Sequence, residues 1–117
     1  PLLKIVTKKM LCSSVLLLIE SERNLIRMSR ERVLSQKNYA IAMDQLKKDR
    51  ELFIFRECTL DFCLTGTFPP VRIPRSNDLI HLRTARWFLE NGGLEYFVTL
   101  DEPQKLAALD FGLPVFQ

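Results

Sequence analysis

Two aspartates near the end of this 117-residue chain stand where a catalytic crevice would form. Asp101 follows Tyr96-Phe97-Val98-Thr99, a β-branched and aromatic run that reads as a strand. Asp78 falls at the start of the helix expected before that strand. In a parallel sheet, sites form outside the carboxyl ends of strands, so both carboxylates are expected to face one crevice. Clustered carboxylates repel one another, and without a metal such a site is strained. Each residue alone also has an ordinary role: Asp101 as a helix N-cap, Asp78 as a first-turn acid favoured by the helix dipole. Only their joint placement makes them a candidate site. The single histidine, His81, lies one turn from Asp78, close enough to hydrogen-bond to it as a supporting group. It has no serine or cysteine partner pattern, so nothing points to a Ser/His or Cys/His nucleophile.

The elements that would hold these residues alternate. Residues 1–9 read as the tail of a helix and residues 10–14 as a small strand. Residues 14–29 read as a helix capped by Ser13 or Ser14, with Val15, Leu18, Ile19, Leu25 and Ile26 on one face and Glu20, Asn24 and Arg27 opposite. Ser35 caps the next helix, whose stripe is Tyr39, Ala42, Met43 and Leu46. Residues 52–55 have strand length, residues 57–64 a short helix, and residues 65–75, with three prolines and a glycine, form a loop. Ser76 or Asn77 caps a helix running to about Glu90, and Asn91-Gly92-Gly93 stops it. Asp101 opens the last helix with Pro103 in its first turn, Gly112 ends it, and residues 113–116 form a final strand. Helix and strand in alternation with short links predict an α/β sandwich with a parallel sheet.

The bulk numbers permit this. A chain with 47% hydrophobic and 26% charged residues is ordinary for a globular domain, and its length suits one domain. A net charge of +3 permits a nucleic-acid partner without demanding one. The longest apolar run, residues 15–19, is far short of the roughly 20 residues that a bilayer requires, so no membrane span is expected. Three cysteines without framework spacing, Cys12, Cys58 and Cys63, read as small core residues in a reducing, cytoplasmic compartment. Together with one histidine they are too few for a structural zinc site.

The segment Asn77-Asp78-Leu79-Ile80-His81-Leu82-Arg83-Thr84-Ala85 resembles the "DALHLATA" helix of PIN domains. Residues 95–116, EYFVTLDEPQKLAALDFGLPVF, resemble that family's closing stretch: a strand ending in a Thr/Ser-x-Asp turn, here Thr99-Leu100-Asp101, then a helix, then "GLPV" leading into the last strand. Upstream, SVLLLIESERNL at residues 14–25 is similar to the helix that carries the family's second acid. That register puts the acid at Glu20. Periodicity raises a rival, Glu22, nearer the centre of the apolar face, where a carboxylate needs a partner or a metal. A PIN domain opens with a strand ending in Asp. No such segment precedes residue 10, so the chain is expected to lack the first strand of the family domain and its acid.

What the resemblance implies is a PIN-like three-layer α/β/α sandwich with a central, mainly parallel sheet, N-terminally incomplete, as a single domain over residues 1–117. The implied activity is that of a VapC-type toxin, an endoribonuclease that uses Mg²⁺ or Mn²⁺ held by Glu20, Asp78 and Asp101. Mg²⁺ prefers hard oxygen ligands, keeps several waters and bridges to phosphate. Thr99, His81 and Ser14 would support the site, and Arg23, Arg27 and Arg75 are candidates to hold RNA phosphates. A solvated charged face explains such arginines nearly as well. An antitoxin protein and a homodimer are the partners that the family implies. The alternatives are a catalytically inactive PIN-like remnant kept for binding or regulation, and a truncated fragment of the enzyme.

Overall fold

Parallel strands cannot be joined by a tight turn, so two short apolar runs can pair this way only across a crossover of a dozen residues or more. In the computed structural model, which describes residues 10–72 and 75–116, β1 (Leu11–Ser14) and β2 (Phe53–Arg56) pair in parallel. Leu11 lies opposite Phe53 and Ser14 opposite Arg56. The crossover is helical: α1 (Leu16–Arg30), α2 (Gln36–Asp49), then a 3₁₀ turn at Arg50–Leu52. The two helices pack on each other. The expected helix tail at residues 1–9 lies outside the described residues.

Local chemistry explains these bounds. The Ser14 hydroxyl accepts from Leu16 N at 3.1 Å, so this serine shapes the helix entry although Val15 holds the N-cap position. Ser35 caps α2 as expected, its hydroxyl accepting from Asn38 N at 3.1 Å. Helix α1 closes with the paired bonds of a Schellman motif, Val33 N to Met28 O and Arg32 N to Ser29 O. Such a motif needs a left-handed residue just past the helix, usually glycine. Here it is Arg32, at φ 60°. An L side chain in that region costs roughly 1–2 kcal/mol.

The chain divides into two units, Pro1–Arg56 and Glu57–Gln117. The second holds α3 (Leu60–Cys63), α4 (Ser76–Asn91) and α5 (Glu102–Asp110). Its core follows helical spacing. Leu82, Ala85 and Leu89 on α4 meet Ala107, Ala108 and Phe111 on and after α5, with Val71 and Leu113. Leu82 is fully buried. Gly112, at φ 78°, lets the chain turn back after α5: its N–H donates to Leu109 O and that of Leu113 to Ala108 O. The Phe68 and Phe111 rings stack at 4.4 Å, with Arg83 over the first ring and Arg86 over the second.

Three expectations change. Ser76 and Asn77 do not cap α4; both are inside the helix, and Arg75 holds the N-cap position. The strands expected at residues 96–99 and 113–116 reduce to one parallel bridge, Phe97 opposite Val115. Phe97 N donates to Pro114 O and Phe116 N to Phe97 O, but Pro114 has no N–H with which to extend the ladder. Cys58 and Cys63 are exposed rather than core: Cys58 stands just before a helix of only four residues and Cys63 ends it. Cys12 is half-buried, and burial pushes its thiol pKa up. The architecture is therefore mixed α/β, rich in helix, with a small parallel sheet.

The loop before α4 is tied to α5 by charge. Asp110 accepts from the Arg72 backbone N at 2.8 Å and from Arg72 Nε at 2.9 and 3.2 Å, and these bonds hold its carboxyl below the ordinary value of 3.8. A depressed folded-state pKa adds stability above the unfolded value, and that stability is lost as the pH falls through the folded one. In pH-resolved denaturation, Asp110→Asn should be less stable than the parent at neutral pH. The two curves should begin to close near pH 3.8 and merge below the lowered folded-state pKa; a gap that persists in stronger acid would refute the pair's role. Replacing Arg32 by glycine should raise stability by about 1 kcal/mol, read from the denaturation midpoint, since strain is removed at little cost in contacts.

Candidate active site

Asp78 begins the buried stripe of α4: residues 78, 82, 85 and 89 recur at spacings of four, three and four, and all line one face. Its residue exposure is 7%, so it is a carboxylate among apolar neighbours and must be paired. Two side chains pair it. Arg75 donates from Nε to Asp78 Oδ2 at 2.6 Å, and Gln104 donates from Nε2 to Asp78 Oδ1 at 3.2 Å. Asp78 also sits in the first turn of α4, where the helix dipole favours an anion.

Asp101 reaches the same cation. The Arg75 Nη2 group donates to Asp101 Oδ2, so one guanidinium joins carboxylates from two helix starts. Asp101 stands at the N-cap position of α5 but makes no side-chain cap bond, because its carboxylate is turned to Arg75 instead. Thr99 sets the turn: its hydroxyl accepts from Asp101 N at 3.1 Å. The hydrogen bond to Asp101, then that to Asp78, raises the Arg75 pKa further above its usual value, so the guanidinium stays charged.

Asp78 and Asp101 thus bind one cation. Arg75, read as a candidate for RNA phosphate, is that cation. His81 is half-buried one turn further along α4. Glu20 and Ser14 belong to the first unit, Glu20 half-buried on α1 and Ser14 buried at the end of β1. Glu22 is exposed. Two residues apart on a helix point to nearly opposite sides, so only one of these glutamates can turn inward. Arg23 and Arg27 are exposed on α1, and Arg27 is in its last turn, where a cation suits the helix dipole. Arg83 and Arg86 are held by backbone carbonyls, Arg83 by those of Phe62 and Thr65, and Arg86 by that of Phe111.

Gln104 was not among the expected site residues. A signal for it exists: it lies three residues after Asp101, where a capping box would place a Glu or Gln. It also starts the α5 stripe of 104, 107, 108 and 111, so its amide faces the core side and meets Asp78 rather than its own helix start.

Among the described residues, no three His, Cys, Asp or Glu side chains gather as a metal-binding group. The donor chemistry of the pair nevertheless fits a hard dication, which needs only one or two carboxylates and completes its shell with water and phosphate. Asp78 and Asp101 already converge on a positive charge, and the Arg75 and Asp101 side chains are 51% and 42% exposed, open to exchange with solvent. No family model, curated protein or solved structure matches this chain.

Without Arg75 the two carboxylates face each other uncompensated. Arg75→Met should therefore lower stability, and the loss should shrink sharply in an Asp78→Asn/Asp101→Asn background. A double-mutant cycle at low salt reads the coupling. Equal losses in both backgrounds would mean that Arg75 acts through its aliphatic stem rather than its charge.

Proposed function

We propose that this chain is a PIN-like, metal-dependent endoribonuclease of the VapC toxin type. The observation that carries the reading is the convergence of Asp78 and Asp101, from two separate helix starts, on the single guanidinium of Arg75. Carboxylates clustered in this way form a cation site, and their positions are those at which the DALHLATA-like and Thr-x-Asp motifs put the family's acids. Glu20 is the third acid of this reading, and a three-layer α/β/α sandwich is the fold it requires.

The roles follow from chemistry. Asp78 and Asp101 would hold Mg²⁺ or Mn²⁺ directly or through water, with Thr99 fixing the turn and Gln104 orienting Asp78. Bound there, the metal supplies an activated water and screens the scissile phosphate. Arg75 then has a second use. Released from the carboxylates, a guanidinium at the mouth of the site can take an RNA phosphate oxygen in bidentate fashion. The expected product ends are a 5′-phosphate and a 3′-hydroxyl. A cytoplasmic setting, an antitoxin protein and a homodimer belong to the same reading.

The second reading is a non-catalytic remnant that serves as a binding module. It is favoured by the same arginine, since Arg75 already offsets part of the pair's charge without a metal. Cleavage of a labelled structured RNA separates the two. The nuclease reading expects cutting that requires Mg²⁺ or Mn²⁺ and is abolished by Asp78→Asn and by Asp101→Asn. Gln104→Ala should reduce it on the order of 10–100-fold, as loss of a group that orients a metal ligand does. Metal-independent cutting, or cutting that survives both Asp variants, would overturn it; an intact RNA at every metal concentration would favour the remnant.

A further inference from the structure

Cys58 stands just before the short helix α3 and Cys63 ends it, and both are exposed. Their Sγ atoms lie 3.5 Å apart. The turn between them is fixed by its own hydrogen bonds. The Thr59 hydroxyl accepts from Phe62 N at 3.2 Å, and the Thr59 carbonyl accepts from Cys63 N at 3.0 Å. Phe62, on the same turn, is buried and anchors it. Side chains at positions 58 and 63 are thereby held face to face by backbone that is already ordered. Closing a disulfide, with its S–S bond of about 2.05 Å, calls for side-chain rotation and little backbone movement.

We propose that Cys58 and Cys63 form a thiol–disulfide exchange site that closes a reversible intrachain disulfide with small-molecule disulfides as oxidant. The step balances in two exchanges. One cysteine thiolate attacks a sulfur of the small disulfide, forming a mixed disulfide and expelling one small thiolate. The neighbouring cysteine thiolate then attacks the protein sulfur of that mixed disulfide and expels the second. The protein loses two protons and two electrons, and one disulfide leaves as two thiols. Exposure of both sulfurs gives the oxidant access, and their proximity makes the second exchange intramolecular.

The bond would close the turn that α4 grips. Arg83 donates to the carbonyls of Phe62 and Thr65, on α3 and just beyond it, and Arg83 shares α4 with Asp78. Cys12 is an internal control: half-buried in the first unit, with its thiol pKa raised by burial, it lacks the access of the pair.

The experiment treats the full chain with oxidised glutathione and follows intact mass, peptide mapping and thiol titration. Two of the three thiols should be lost, with a link between Cys58 and Cys63, no retained glutathione, and full recovery with dithiothreitol. Cys58→Ser and Cys63→Ser should each stall as a stable adduct carrying one glutathione, because the resolving thiol is gone. The proposal is overturned if the parent chain itself accumulates glutathione adducts, if Cys12 reacts as fast as the pair, or if the link forms between chains.

Discussion

A carboxylate on the buried stripe of α4 has to be compensated, and the guanidinium of Arg75 meets that need while also binding Asp101. Burying a charge without a partner is among the costliest things a fold can do. The surroundings follow from it. The starts of α4 and α5 present their positive dipole ends to the same two anions. Thr99 bends the chain so that Asp101 arrives at the cation instead of capping its own helix. Gln104 occupies the remaining oxygen of Asp78. The result is a cluster of two carboxylates on one guanidinium, resting on an apolar core of Leu82, Ala85, Ala107 and Ala108.

Much of the local structure was legible because it depends on neighbours in sequence. Ser35 caps its helix, Pro103 lies in a first turn, and Gly112 turns the chain, each for reasons contained in three or four residues. Asp78 and Asp101 were read together from their places at a helix start and after a β-branched run, and both bind Arg75. The bridge at Phe97 and Val115 was over-read as a strand pair, since residue types announce β structure but Pro114 removes a donor from the ladder. Arg75 and Asp78 are neighbours by helical spacing, yet the bond from Arg75 to Asp101 spans 26 positions and follows from tertiary packing alone. The exposure of Cys58 and Cys63 was hidden for a similar reason, because a short helix was expected there but its sequence does not say which side chains the rest of the fold covers.

The net charge of +3 does not say which cations are open to a polyanion. Arg72 is committed to Asp110, Arg75 to the aspartate pair, and Arg86 to Glu90 and the Phe111 ring. Arg83 is spent on backbone carbonyls and the Phe68 ring. A phosphate chain drawn to Arg72, Arg75 or Arg86 would therefore have to exchange an existing ion pair.

The parallel pairing of β1 with β2 has a consequence for the birth of the molecule. Leu11 cannot meet Phe53 until both helices of the crossover have been made and folded back. The cost of closing that loop is met before any sheet hydrogen bond rewards it. On a ribosome, the early strand must wait with its ladder groups unpaired while α1 and α2 emerge. The interval before Arg56 appears is when β1 is most open to pairing with the wrong strand.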